Sequence, residues 1–154
     1  MSRHRHRGFT LLELMVVVAI VAMATAAVSF AIRDDSGTRL EREALRLSAM
    51  LESARAQSLT SGLPVVWRVR PQGFEFIGLP RPRAADGPTP SEGAHRWLDA
   101  NTAAVVLQPP GATALVLGPE PLIPAQRIAL ALGERRLVLA TDGLVPFRVV
   151  PEAP

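Results

Sequence analysis

The 154-residue chain contains no cysteine, which excludes a disulfide scaffold, thiolate metal ligation and a cysteine nucleophile together. It has three histidines, two of them, His4 and His6, within the first six residues. A histidine metal cage or a Ser-His-Asp relay therefore has almost no material. Lysine and tyrosine are absent too, and aromatic residues make up 5% of the sequence. All seventeen basic residues are arginine. Arginine stays charged to above pH 12, so the pI near 11.1 reflects residue choice, for which codon bias in a GC-rich genome is a sufficient reason. The net charge of +3 is matched by Arg3, Arg5 and Arg7 alone; beyond them fourteen arginines meet fourteen acids. The basic pI is thus no argument for a nucleic-acid partner. What remains is one modest domain with appendages. Its composition, 48% hydrophobic and 20% charged, excludes a disordered chain.

The N-terminus has three blocks. Met1–Arg7 is basic and polar, Gly8 follows, and Phe9–Ile32 is an apolar run whose single charge is Glu13. The nineteen residues Leu14–Ile32 carry no charge and reach roughly 28 Å as a helix, close to the thickness of a bilayer core. Arginines precede the run and Asp34-Asp35 follow it, so the positive-inside rule places the N-terminus in the cytoplasm and exports the remainder. A general secretory signal peptide is the rival reading, with Ala24-Thr25-Ala26 as its cleavage site. Two features oppose it. Glu13 costs roughly 2 to 4 kcal/mol on insertion unless it finds a partner, and Gly8 sits where a protease at the cytoplasmic face would work. A glutamate that merely snorkels to the membrane edge is the bland account of Glu13.

Gly8-Phe9-Thr10-Leu11-Leu12-Glu13-Leu14 resembles the class III signal of type IV pilins and type II secretion pseudopilins. The resemblance implies a leader, residues 1–8, cut by a prepilin peptidase between Gly8 and Phe9, with N-methylation of the new Phe9 terminus. It also implies that Glu13 pairs with the terminal amine of a neighbouring subunit in a filament. The physics fits: two charges each costly in low dielectric become tolerable as a pair.

After the apolar run, Asp34-Asp35-Ser36-Gly37 reads as a break or bend, and Thr38-Arg39-Leu40-Glu41 as a capping box restarting the helix. Residues 33–62 then form an amphipathic continuation. Leu40, Ala44, Leu47, Leu51, Ala54 and Ser58 form its buried stripe, while Arg39, Arg42, Glu43, Arg46, Glu52 and Arg55 take the other faces. Arg39 and Glu43, four apart, are expected to pair along the helix. Ser61-Gly62 and Pro64 end it. From there the period changes to two. Val65–Val69 and Phe74–Ile77 form a hairpin across Arg70-Pro71-Gln72-Gly73. Residues 79–94, with four prolines and two glycines, read as a long exposed loop; its Arg81, Arg83, Asp86 and Glu92 are candidate contacts to neighbours or cargo. Trp97 and Leu98 anchor that loop on the core, and His95 reads as a solvated loop residue. Five more strands are expected, at 103–108, 113–117, 127–132, 136–140 and 144–150, for seven in all. The predicted fold class is α+β: a long N-terminal helix packed on an antiparallel sheet or β-sandwich, with residues 63–154 as the globular domain.

Leu47–Ser58 followed by the Val65–Val69 strand, together with Thr141-Asp142-Gly143, resembles the H-type minor pseudopilins of type II secretion, grouped with the FimT pilins. That resemblance implies a non-enzymatic subunit at or near the pseudopilus tip, helping to export folded proteins across the outer membrane. The implied partners are the prepilin peptidase, the major and other minor pseudopilins, the inner-membrane assembly platform, membrane lipid and secreted cargo. No cofactor or metal is implied, and the chain shows no phosphate loop, dinucleotide fingerprint or nucleophile elbow. Asp142-Gly143 reads as a turn, since Leu144, Val145 and Pro146 supply no carboxylates. Two rivals remain: a FimT-like pilus subunit whose Arg68, Arg70, Arg81, Arg83, Arg135 and Arg136 line a DNA groove, and a single-pass membrane enzyme or solute-binding domain with a deep polar pocket. Convergence of those arginines on one face discriminates the first.

Overall fold

A computed structural model describes residues 11–79 and 93–151, without the side chains of 27–34. The chain divides into two units, Met1–Asp35 and Ser36–Pro154. One helix, α1 (Leu11–Ser61), enters both. The predicted restart at Thr38 is not found: Asp34 to Gly37 stay helical. Each of those residues costs at most about 1 kcal/mol in a helix interior, whereas ending and re-nucleating a helix fixes a whole turn of backbone for one hydrogen bond. The end of α1 is as expected: Gly62, at φ 69°, donates its N–H to Ser58 O.

Within Ser36–Pro154, α1 is followed by β1 (Val66–Arg70), β2 (Gly73–Ile77), β3 (Gly93–Arg96), β4 (Ala103–Gln108), β5 (Ala114–Val116), β6 (Gln126–Leu132), β7 (Arg135–Thr141) and β8 (Arg148–Val150). They build two four-stranded sheets, ordered β3-β2-β1-β5 and β4-β6-β7-β8, antiparallel throughout. The hairpin pairs Trp67 with Phe76 and Val69 with Phe74, so these four share a face. Eight strands are therefore described where seven are read from the sequence. The additional one, β3, begins inside the predicted loop; residues 80–92 of that loop lie outside the described residues. The last strand is shorter than predicted because Asp142 Oδ1 accepts the N–H groups of Leu144 and Val145, both at 2.9 Å, which turns that segment out of the ladder.

All six stripe residues of α1, Leu40 to Ser58, are fully buried. The five apolar ones, Leu40 to Ala54, share one core with Trp67, Phe74 and Phe76 of the first sheet and Ile128, Leu130 and Leu139 of the second. Phe74 is its aromatic centre, 4.9 Å from Trp97 and 5.3 Å from a stacked His95. His95 is thus a packed strand residue, because its register opposite Phe74 puts it on the core face. Trp97 anchors as expected. Leu98 does not; it is 61% exposed, and only its backbone is held, as described next.

Candidate functional site

The buried face of α1 is wider than one stripe. Glu43 and Arg55, read from the sequence as outward-facing, are 1% and 7% exposed. The signal for this was present: Glu43 lies three residues after Leu40 and four before Leu47, and Arg55 four after Leu51 and three before Ser58, so both project over the same side. Both reach backbone of the β-domain. Glu43 accepts from Leu98 N at 2.5 Å and from Arg46 at 3.0 Å, in place of the predicted helix-face pair with Arg39. Arg39 reaches Asp99 at 3.2 Å. Arg46 also donates to Arg96 O at 3.1 Å. Further along, Ser48 donates to Phe147 O at 2.5 Å while Glu52 accepts from Phe147 N at 2.8 Å. Arg55 donates to Pro121 O at 3.0 Å and Gly143 O at 2.5 Å. One helix thereby catches three separate loops of the β-domain, and its bonds to Leu98 N, Arg96 O, Phe147 N and O, Pro121 O and Gly143 O satisfy backbone groups that would be costly to bury alone.

The other end of α1 has the opposite character. From Leu11 to Ala26 every residue is exposed; among them Leu11, Met15, Ile20 and Met23 show 61% or more of their surface. A helix apolar on all sides requires lipid or other helices around it. Glu13 is the acid of its first turn, where the positive end of the helix dipole favours a carboxylate. Gly8 and Phe9, the expected cleavage and methylation sites, lie outside the described residues. Among the residues whose side chains are described, which in this segment stop at Ala26, no helix is long and apolar enough to cross a membrane. The span expected from the sequence, 14–32, runs past that point.

The arginines proposed for a DNA groove separate into two groups. Arg68 and Arg70 of β1 both clasp Glu75 of β2, Arg68 through Nε at 2.6 Å and Arg70 through Nη2 at 2.7 Å. Arg135 and Arg136 begin β7 in the other sheet. Arg81, Arg83, Asp86 and Glu92 lie outside the described residues. The hydrogen bonds from Arg68 and then Arg70 hold the Glu75 carboxyl below its ordinary value of 4.5. A depressed folded-state pKa contributes stability that is complete above about 4.5 and lost as the pH falls through the folded value. Thermal melts from about pH 6 to about pH 3 are therefore expected to fall more steeply for the native chain than for Glu75→Gln; equal slopes would count against the clasp. Among the described residues no group of three or more His, Cys, Asp or Glu is placed to hold a metal.

The prokaryotic N-terminal methylation motif matches residues 3–29. Type II secretion system protein H from Escherichia coli (strain K12) is 37% identical over 97 residues, covering 62% of this chain and 52% of that protein. The protein of the same name from Aeromonas hydrophila is 35% identical over 78 residues, 50% of this chain and 43% of that one. The chain is similar to the H-type proteins of type II secretion over these stretches. It spans about half the length of the H-type relatives it matches. The type IV minor pilin FimU of Pseudomonas aeruginosa (strain PAO1) superposes with a TM-score of 0.52 at 16% identity, over 81% of this chain and 96% of that one, which shows the pilin-like fold. In this chain the two segments that carry the resemblance, Leu47–Ser58 and Thr141–Gly143, are tied to each other by the Arg55 bond to Gly143 O.

Proposed function

We propose that this chain is a minor pseudopilin of the type II secretion pseudopilus, placed in the tip complex that initiates or caps the filament and assists export of folded proteins across the outer membrane. The observation that carries the reading is the helix segment from Leu11 to Ala26, apolar on every side and bearing one acid, Glu13. Such a helix suits lipid before assembly and other helices after it. Its small residues, among them Ala19, Ala22, Ala24 and Ala26, permit close backbone approach in either setting. The leader is removed at the cytoplasmic face, Phe9 becomes the methylated terminus, and the β-domain stands in the periplasm. Partners are the prepilin peptidase, the other pseudopilins, the assembly platform and cargo. Assembly is the activity, and no residue is assigned a catalytic role. The alternative, a FimT-like pilus subunit binding DNA, has the FimU fold likeness behind it, but Arg68 and Arg70 are committed to Glu75.

The test is the mass of the mature chain, expected to begin at N-methylated Phe9. Gly8→Leu is expected to leave an uncut precursor, heavier by the eight-residue leader Met1–Gly8, because a bulky side chain fills the space next to the scissile bond. Normal processing of that variant, or a mature chain starting elsewhere, would remove the basis for the reading.

A further inference from the structure

On the outer face of the second sheet, four residues from four strands stand in one row. Gln108 of β4 is opposite Arg127 of β6, Arg127 is opposite Ala140 of β7, and Ala140 is opposite Arg148 of β8. Neighbouring strands lie about 4.8 Å apart, so the two arginines are separated by roughly 10 Å of backbone with only a methyl group between them. Their side chains line a groove of about 230 Å³ together with Gln108, Ala140, Thr141 and Asp142. Among the described residues neither guanidinium has an ion-pair or hydrogen-bond partner, in contrast to Arg39, Arg46, Arg55, Arg68 and Arg70, which all have one. Arg127 is half-buried and Arg148 exposed. Asp142, in the same groove, offsets part of the Arg148 charge through space, and both guanidinium groups keep N–H donors for a carboxylate seated over Ala140.

We propose that this groove is a binding site for a carboxylate on an acidic peptide segment of a protein partner, with Arg127 and Arg148 gripping the carboxylate from its two sides. The site is distinct from the assembly helix and does not depend on it. The number of cations decides between an acidic peptide and a nucleic acid. Duplex binding draws its affinity from many phosphate contacts, whereas this groove offers two arginines with Asp142 beside them, enough for one carboxylate.

The experiment uses the full chain in detergent micelles and fluorescence anisotropy of a labelled Gly-Asp-Glu-Asp-Gly peptide, with Gly-Asn-Gln-Asn-Gly as the uncharged counterpart. Arg127→Gln and Arg148→Gln are each expected to weaken the acidic peptide about tenfold, the scale of one charge-assisted hydrogen-bonded contact. Ala140→Leu, which keeps both charges and fills the space between them, is expected to weaken it similarly. Arg136→Gln, on the same face but in a different row, opposite Ala131, is expected to bind as the native chain does. Unfolding midpoints of the variants confirm that the domain is intact. The proposal is overturned if the uncharged peptide binds equally well, or if Arg136→Gln weakens binding as much as the groove variants, since that would be diffuse attraction. It is also overturned if acetate alone binds as tightly as the peptide, or if a duplex oligonucleotide binds through these arginines and the acidic peptide does not.

Discussion

Replacing Glu13 by leucine is expected to leave membrane insertion intact and to reduce incorporation into the filament roughly a hundredfold or more, from the 3 to 5 kcal/mol cost of unpairing a buried charge. The two effects have opposite sign, which makes the experiment decisive. Insertion becomes easier because removing a carboxylate from the apolar segment saves roughly 2.5 to 3.5 kcal/mol at the bilayer centre and less near its edge. Assembly becomes harder because the terminal amine of the neighbouring subunit's Phe9 is left in a low-dielectric bundle without its counter-charge. Glu13→Gln keeps the shape and loses the charge, so it should behave as Glu13→Leu does. The measurement is the fraction of chain recovered in sheared filaments against the fraction in the membrane. Normal recovery of either variant in filaments would dispose of the pairing model while leaving the fold untouched.

Gly143→Ala is expected to be the most damaging single methyl group in the β-domain. Gly143 has φ 95°, and a Cβ there would lie 1.9 Å from Ile123 O and 3.0 Å from Ile123 C. Both are backbone atoms, so nothing flexible can yield. The same residue donates its N–H to Thr141 Oγ1 at 2.9 Å and accepts the guanidinium of Arg55 on its carbonyl. Moving it therefore unseats α1 from this loop as well. Backbone strain of 1 to 3 kcal/mol, with the clash and the lost bonds added, puts the destabilisation at about 4 kcal/mol or more, in the range reserved for named structural failures. Gly133→Ala supplies the comparison. It has φ 59° with nothing within 4 Å of the added Cβ, so it carries only the left-handed conformational cost of about 1 to 2 kcal/mol. Urea unfolding of the two variants separates strain from collision. Equal midpoints would mean that the close approach of Gly143 to Ile123 has no energetic weight.

The helix α1 has a dual character. At one end α1 is apolar on all sides with a single acid; at the other it carries a buried stripe flanked by Glu43 and Arg55, whose heads hold backbone of separate loops. Polar bonds to backbone give the helix a set register on the β-domain that an apolar stripe alone would leave free to slide.

The sequence by itself determined the elements whose code is local. A 3.6-residue period marks Leu40 to Ser58 as a core stripe, and alternation around Pro71-Gln72-Gly73 marks the β1–β2 hairpin. Each depends on residues within a few positions of one another, where period and turn chemistry are visible directly. Tertiary structure decided the rest. β3 exists because β2 offers it an edge and Phe74 a ring to stack on. Glu43 and Arg55 are buried because loops from distant parts of the chain present backbone groups to them. Arg127 and Arg148, 21 positions apart in the sequence, become neighbours only through the registers of three strands. Cross-strand rows and helix-to-loop bonds join residues that no local pattern relates, so their chemistry appears only when the chain is folded.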